Sequence, residues 1–566
     1  MKTKCSKLLH AIFDTSRRER RLRVLFAVLF AICFVIGDSF RDYGSLFATL
    51  DEPRQAIKQL VFFALYFLGG YVGICLAAFA VRHSREHGRA RLTVMRTWPV
   101  FLVFVLAWAP YVVCNFPGSV PYDTVLQINQ GLGAASLNTH HPTVLSLYFG
   151  AIITVARAVG VGDIGGIFVL TLIQLVFTAL VFSELVRFVD EAARRRVLTF
   201  GAIAFFALYP TWGMMVEGII KDAPYTGFFV LFVLAYTRCV LATSPENRLG
   251  PKGVDGAPGL REFVMLAVGA LGMCFCRNNG IHVLILSAIP LLLLRQDPRI
   301  RAKEAASLAS VVLVFFLVTG PLYSALGVKP GPIAEALSIP VQQVARYVAE
   351  YDTEITPLEK SVINGVLDYE TIKDEYDPQL SDPVKATFHN NATQQEQLAF
   401  LKLYLELAQQ HPRPFIEAPL HNSYRYYSFT DFSNTRACFQ NYTKFAINKS
   451  LAYDDYLPFT KAARKVTRDW AELVTNVPIL NILNRCGFFT WVLLLCLCSA
   501  LVRRQPKEIM AAIPLIISIL VCIASPVNGL QRYMWPVMAA IWVPIALSFA
   551  GTMRRDASRG ARREHA

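Results

Sequence analysis

Apolar residues along this chain come in blocks, with neither a helical nor a strand period. Runs such as Leu22 to Ile36, Leu60 to Val81 and Ile513 to Ile523 are apolar on every side. They leave no polar face for water and are long enough, or nearly so, to cross a hydrocarbon layer of about 30 Å. In such a layer the backbone must satisfy its own hydrogen bonds, so each run is predicted to be a helix. About thirteen segments fit, near 22–40, 58–81, 97–115, 143–159, 163–186, 198–213, 224–242, 262–276, 280–294, 306–325, 486–502, 509–524 and 533–552. The expected fold class is all-α, a polytopic transmembrane helical bundle.

One polar stretch breaks the pattern. Residues 326–485 are too many for a structureless loop, and their pattern is amphipathic. Ser338 to Val348 reads as one helix, and Gln395 to Gln409 as another, with Pro412 and Pro414 ending it. The chain thus divides into a transmembrane part at 1–325, a mostly helical extracytoplasmic insertion at 326–485, and a transmembrane hairpin, helix and basic tail at 486–566.

Composition agrees: 54% of residues are hydrophobic and 17% charged, below the roughly one quarter of soluble domains. The net charge of +15 sits at the segment ends, in Arg17–Arg21, Arg82–Arg91, Arg295–Lys303, Arg503–Lys507 and the tail. That is the positive-inside pattern, and with no basic groove or motif beside it, nucleic-acid binding is set aside. The insertion, by contrast, holds 16 Lys/Arg against 19 Asp/Glu, which suits the outer side. Both termini, the loops 82–96, 295–305 and 503–508, and the Gly/Pro-rich linker at 244–260 are expected in the cytoplasm. The loops 116–142, 214–223, 277–279 and 525–532 are expected outside, in a multi-pass protein of the cell membrane. Arg194-Arg195-Arg196 conflicts: two full crossings between 143 and 186 would put it outside. Either one of those segments is short or re-entrant, or the charge rule fails there. The N-terminal apolar run lacks a cleavage site and is expected to stay as a helix. The twelve cysteines read as small buried hydrophobes without metal-ligand spacing.

Polar residues at the outer ends are the candidate chemistry. The first loop reads Pro117-Gly-Ser-Val-Pro-Tyr122-Asp123-Thr-Val-Leu-Gln127 and ends in His140-His141-Pro142. A carboxylate there can act as general base toward an acceptor hydroxyl, with Gln127, His140 and His141 orienting a sugar or phosphate. The same residues also read as a turn followed by an ordinary polar helix. Lys221-Asp222 and Arg277-Asn278 interrupt apolar segments on the same side. Charges at membrane level are costly unless paired or functional, and a guanidinium suits a phosphate. A plain ion pair, or snorkelling to lipid headgroups, is the structural alternative. Gln343, Arg346 and Arg532 complete the outer set. No Walker-type loop, His-Glu-x-x-His motif or Gly-x-Ser-x-Gly elbow occurs.

With Tyr122-Asp123, His141-Pro142 and Arg277-Asn278 in this order, the chain resembles the GT-C superfamily of integral membrane glycosyltransferases. Pro117-Gly-Ser, Tyr122–Gln127, His140-His-Pro142, Lys221-Asp-Ala-Pro224, Arg277-Asn-Asn-Gly280 and Ile339–Gln343 also resemble a family of actinobacterial and firmicute membrane proteins without assigned function, over about residues 97–550. The superfamily resemblance implies a polyprenyl-phosphate-linked sugar as donor, and an envelope glycan, lipid or protein as acceptor. It implies inverting transfer at the outer face, with Asp123 as base and an arginine neutralising the phosphate. Such loops often carry two neighbouring acidic residues, whereas Asp123 stands alone here. Asp222 supplies the second only if the fold brings it near, and a divalent metal stays open. A transporter or flippase of a lipid-linked or anionic solute is the alternative, and an envelope assembly protein a third.

Overall fold

The computed structural model describes residues 12–13, 15–46, 53–87, 95–242, 258–294, 297–431 and 458–550. Most of the 244–260 linker, the basic tail and residues 432–457 of the insertion lie outside the described residues. Helices dominate, and no strand occurs among the described residues.

All thirteen apolar segments are helical. The first seven segments, with the polar loop at 116–142, form α1 (Arg17–Tyr43), α2 (Pro53–His87), α3 (Thr97–Cys114), α4 (Tyr122–Gly131, in the polar loop), α5 (Thr143–Ala158), α6 (Gly162–Ala193), α7 (Arg196–Leu208), α8 (Pro210–Glu217) and α9 (Asp222–Leu241). Then come α10 (Leu260–Cys276), α11 (Gly280–Leu294) and α12 (Pro298–Leu317). Among the described residues eight helices are long and apolar enough to cross a membrane, or nine spans if α7 and α8, bent by 51° at Tyr209, form one. This is a multi-pass helical membrane fold.

Helix lengths settle which way the chain runs near Arg194. At 1.5 Å per residue, α5 rises only about 24 Å, whereas α6 rises about 48 Å, well beyond a hydrocarbon core. The Met95 N–H donates to Asp190 at 2.7 Å, and the Thr171 hydroxyl donates to the Pro117 carbonyl at 2.8 Å. α3 therefore runs antiparallel beside the later two thirds of α6, whose first residues overhang the end of α3. α5 folds back on that overhang, with Ile153 and Ala156 against Gly166. α4 packs on α5 so closely that a Cβ on Gly131 would sit 2.0 Å from the Ser146 carbonyl. α5 is the short helix of the two options, and Arg194–Arg196 end up at the same end of the bundle as Arg85.

Past α12 lie α13 (Ser338–Tyr351), α14 (Pro357–Asn364), α15 (Gln394–Gln410), α16 (Pro412–His421) and α17 (Pro458–Asn476). Capping boxes at Thr356/Glu359 and Thr393/Glu396 start α14 and α15. Pro412 and Pro414, expected to end a helix, also open the next one, where the first turn needs no N–H donor. Residues 334–415 bury their own apolar core, including Val341, Val348, Leu367 and Phe415. Tyr426, Ala471 and Val474 belong instead to the core of the bundle. The insertion is thus a helical cap whose later part is built into the membrane domain. The chain closes with α18 (Cys486–Arg503), α19 (Pro506–Ala511), α20 (Ile513–Ile523), α21 (Gln531–Ala540) and α22 (Trp542–Phe549).

Candidate active site

The loop before α4 is tied to the turn before α9 by backbone. Ser119 pairs with Gly218: its N–H donates to the Glu217 carbonyl at 3.1 Å and its carbonyl accepts from Ile219 at 2.8 Å. The Thr124 hydroxyl donates to the Ile219 carbonyl at 2.5 Å. Gln174, from α6, donates to the carbonyls of Met215, Val216 and Gly218. These bonds satisfy backbone that has left the helices, as burial demands, and set Asp123 beside Lys221.

Around that junction six of the expected residues meet. The Lys221 ammonium lies 3.7 Å from Asp123 Oδ2 and 3.0 Å from His141 Nδ1. Arg532, at the start of α21, lies 3.5 Å from the same Asp123 oxygen and 3.8 Å from Asp222 Oδ2. Arg277, where α10 ends, pairs with Asp222 Oδ1 at 2.9 Å. Its guanidinium stacks 4.4 Å from the Tyr533 ring centre and 5.6 Å from that of Tyr225. Asp222 is fully buried, while the Asp123 side chain keeps 27% of its exposure. Asp222 is therefore the structural anion of the pair, and Asp123 the one a ligand can reach.

The charges set the protonation states outside the spans. Burial pushes the Asp123 carboxyl up, but the Lys221 and Arg532 charges outweigh it and hold it below the ordinary carboxylate value. Burial and the Lys221 charge push His141 down to about 3. A charged ammonium can only donate, so neutral His141 accepts at Nδ1 and carries its proton on Nε2. Burial also lowers Lys221, partly offset by Asp123 and Asp222.

The remaining expected residues fall at three distances. His140 stands beside His141, 3.7 Å from Glu335 of the cap, and Asn278 donates to the Thr139 carbonyl at 3.0 Å. Both tie the histidine loop to its surroundings. Gln127, one turn beyond Asp123 on the same helix face, is buried, and neither amide atom has a hydrogen-bond partner among the described residues. Tyr122 opens α4, and its side chain lies outside the described residues. Gln343 and Arg346 are elsewhere, inside the cap. Gln343 donates to the Phe415 carbonyl and accepts from the Tyr404 hydroxyl. Arg346 pairs with Glu417 and Glu350 and donates to the Gly44 carbonyl, which fastens the cap to the end of α1.

Tyr225 and Tyr533, which the sequence places in the candidate stretches Gly218–Tyr225 and Gln531–Tyr533 without a role of their own, line a cavity of about 50 Å³ with Arg277, Asn279, Ser518, Cys522 and Ser525. Sequence reading missed Glu217, a buried carboxyl group accepting the Ser119 N–H at 3.0 Å. It lies in the expected outer loop 214–223, and that placement was the signal. Among the described residues no group of three or more His, Cys, Asp and Glu is arranged to hold a metal ion.

Fold and site together define a polytopic helical membrane protein with a charged cleft where the start of α4, the turn before α9, the end of α10 and the start of α21 meet. The model of a family described as "Family of unknown function (DUF6020)" matches residues 133–563, and the chain belongs to that family. The match takes in His140, His141, Lys221, Asp222, Arg277, Asn278 and Arg532, and begins after Asp123 and Gln127. No curated protein and no solved structure matches the chain.

Proposed function

We propose that this protein is a membrane glycosyltransferase of the GT-C kind. In this reading it moves a sugar from a polyprenyl-phosphate donor to an acceptor of the cell envelope, at the extracytoplasmic face of the cell membrane, with both termini cytoplasmic. The observation that carries the reading is the reachable Asp123 carboxylate set against Lys221 and Arg532. Three cations face two carboxylates in the cleft, leaving one net positive charge for an anionic ligand. Asp123 takes the proton of the acceptor hydroxyl as that oxygen bonds to the anomeric carbon. The bond from that carbon to the phosphate oxygen breaks, and the phosphate leaves with the electron pair beside Arg532 and Lys221. Attack opposite the leaving group inverts the anomeric centre. The basic ends of the spans, including Arg194–Arg196, gather at the end of the bundle away from the cleft, which supports an external site.

The test is sugar release or transfer by the purified protein across a panel of polyprenyl-phosphate sugars, with Asp123→Asn alongside. Turnover lost in Asp123→Asn upholds the reading, and equal turnover in the variant overturns it. The transporter or flippase reading draws on the broken span at Tyr209. Against it, the charged groups collect at one end of the helices instead of their middle. Uptake of a lipid-linked sugar into vesicles that is indifferent to Asp123→Asn would favour transport.

A further inference from the structure

The polar and apolar faces of α17 divide sharply. Thr467, Ala471, Val474 and Thr475 are buried against the bundle. Val466, Trp470, Leu473 and Val477, at helical spacing on another side, are uncovered, and Ile479 just beyond continues the stripe; these five are between 41% and 80% exposed. A stripe of this size facing water would cost several kcal/mol of lost burial, and monomeric soluble surfaces rarely carry one. The flanking charges are Lys465, Arg468 and Asp469, joined as ion pairs along the helix.

The level of the helix is fixed by its contacts. Asn115, just past the end of the α3 span, donates to the Thr467 hydroxyl at 3.2 Å, and Arg464 donates to the Phe116 carbonyl at 3.1 Å. α18, a span, begins ten residues after α17 ends. The outward face of α3 is itself uncovered at Leu106 and Val113, so the α17 stripe continues an apolar belt already facing lipid. Apolar residues flanked by lysine and arginine, with a tryptophan among them, suit the boundary between acyl chains and headgroups.

We propose that α17 is an interfacial helix that docks on phospholipid, its apolar stripe in the acyl chains and Lys465 and Arg468 at the phosphates. Through Asn115 and Phe116 it then sets the depth of the Pro117–Asp123 loop, whatever chemistry that loop performs. Brominated-lipid quenching of Trp470 tests this. The full chain and its Trp470→Phe variant are placed in nanodiscs of phosphatidylcholine and phosphatidylglycerol, with or without bromine at the 6,7 positions of the acyl chain. The fluorescence difference between the two proteins isolates Trp470 from the other tryptophans. Quenching of that difference at least twofold by brominated lipid, with little effect of aqueous iodide, is the expected result. A difference signal that brominated lipid leaves unchanged overturns the proposal, whether iodide reaches it (a water-facing helix) or not (a stripe covered by protein). If Trp470→Phe folds poorly, Val466→Trp with Trp470 kept holds the test sound: the signal it adds one turn away should be quenched by brominated lipid in the same way, and an added signal that brominated lipid leaves unchanged overturns the proposal. Sugar-transfer activity plays no part in the readout.

Discussion

Removing the Lys221 charge should raise the pH at which Asp123 loses its proton. The ammonium stands 3.7 Å from Asp123 Oδ2. Two unit charges about 4 Å apart interact by about 1 kcal/mol in bulk water and about 4 kcal/mol at an effective dielectric constant of 20. Asp123 keeps a quarter of its exposure, so the lower half of that range applies, about 1–2 kcal/mol. At about 1.4 kcal/mol per pKa unit, Lys221→Met should lift the Asp123 pKa by about one unit. Its sign is fixed: a nearby cation favours the ionised carboxylate, which is why Asp123 lies below its ordinary value now. Since the base must be ionised, the acid limb of the kcat/KM profile for sugar transfer should move up by the same amount. Lys221→Arg keeps the charge and should hold the limb in place. The assay is a pH series on the donor that the wild type turns over, with all three proteins. An acid limb that stays put in Lys221→Met would refute either the role of Asp123 as base or the electrostatic argument. Infrared titration of the carboxylate tells these apart, because it reads the Asp123 pKa without turnover.

Arg277→Ala should destabilise the folded protein by about 3–5 kcal/mol, the usual cost of leaving a buried charge unpaired, since Asp222 is fully buried and its other cation is 3.8 Å away. Thermal unfolding in detergent checks it; adding Asp222→Asn should recover part of the loss, and a melting point equal to wild type would sink the account. Gly150→Ala should cost about 1–3 kcal/mol or more because its Cβ would meet Gly131 backbone at 2.2 Å, so a wild-type melting point there would contradict the α4–α5 packing. Stability should also fall in acid through His421, which burial, and then Arg346 and Arg425, push down to about 3 from 6.5. A histidine held neutral in the fold but able to protonate when unfolded contributes fully above pH 6.5. That contribution shrinks as pH drops toward 3, by up to about 1.4 kcal/mol per pH unit. Unfolding of His421→Gln across this window should show a shallower slope than wild type.

Lys221, Asp222 and Arg277 were legible because they interrupt apolar runs, where any charge stands out, and Asp123 and Arg532 because they stand in polar stretches between spans. Arg346 was grouped with them and instead fastens the cap: an arginine paired with Glu417 looks, in sequence, like an arginine awaiting a phosphate. Tyr225 and Tyr533 stood in candidate stretches without a role, since aromatic residues are ordinary at span ends and only their stacking on Arg277 distinguishes them.

By itself the sequence determined the helices, their apolar blocks and the amphipathic insertion, because hydrophobicity, capping and proline placement act within a few residues along the chain. Which groups meet was decided by tertiary structure alone. Arg532 reaches Asp123 across 409 positions, and no local pattern encodes such a contact; it follows from how the spans pack. The same holds for α5, whose apolar run reads as a crossing. Its sixteen residues and the overhang of α6 make it fold back at the end of the bundle opposite Arg194–Arg196, because a helix goes where its face, here opened by Gly150, finds a partner.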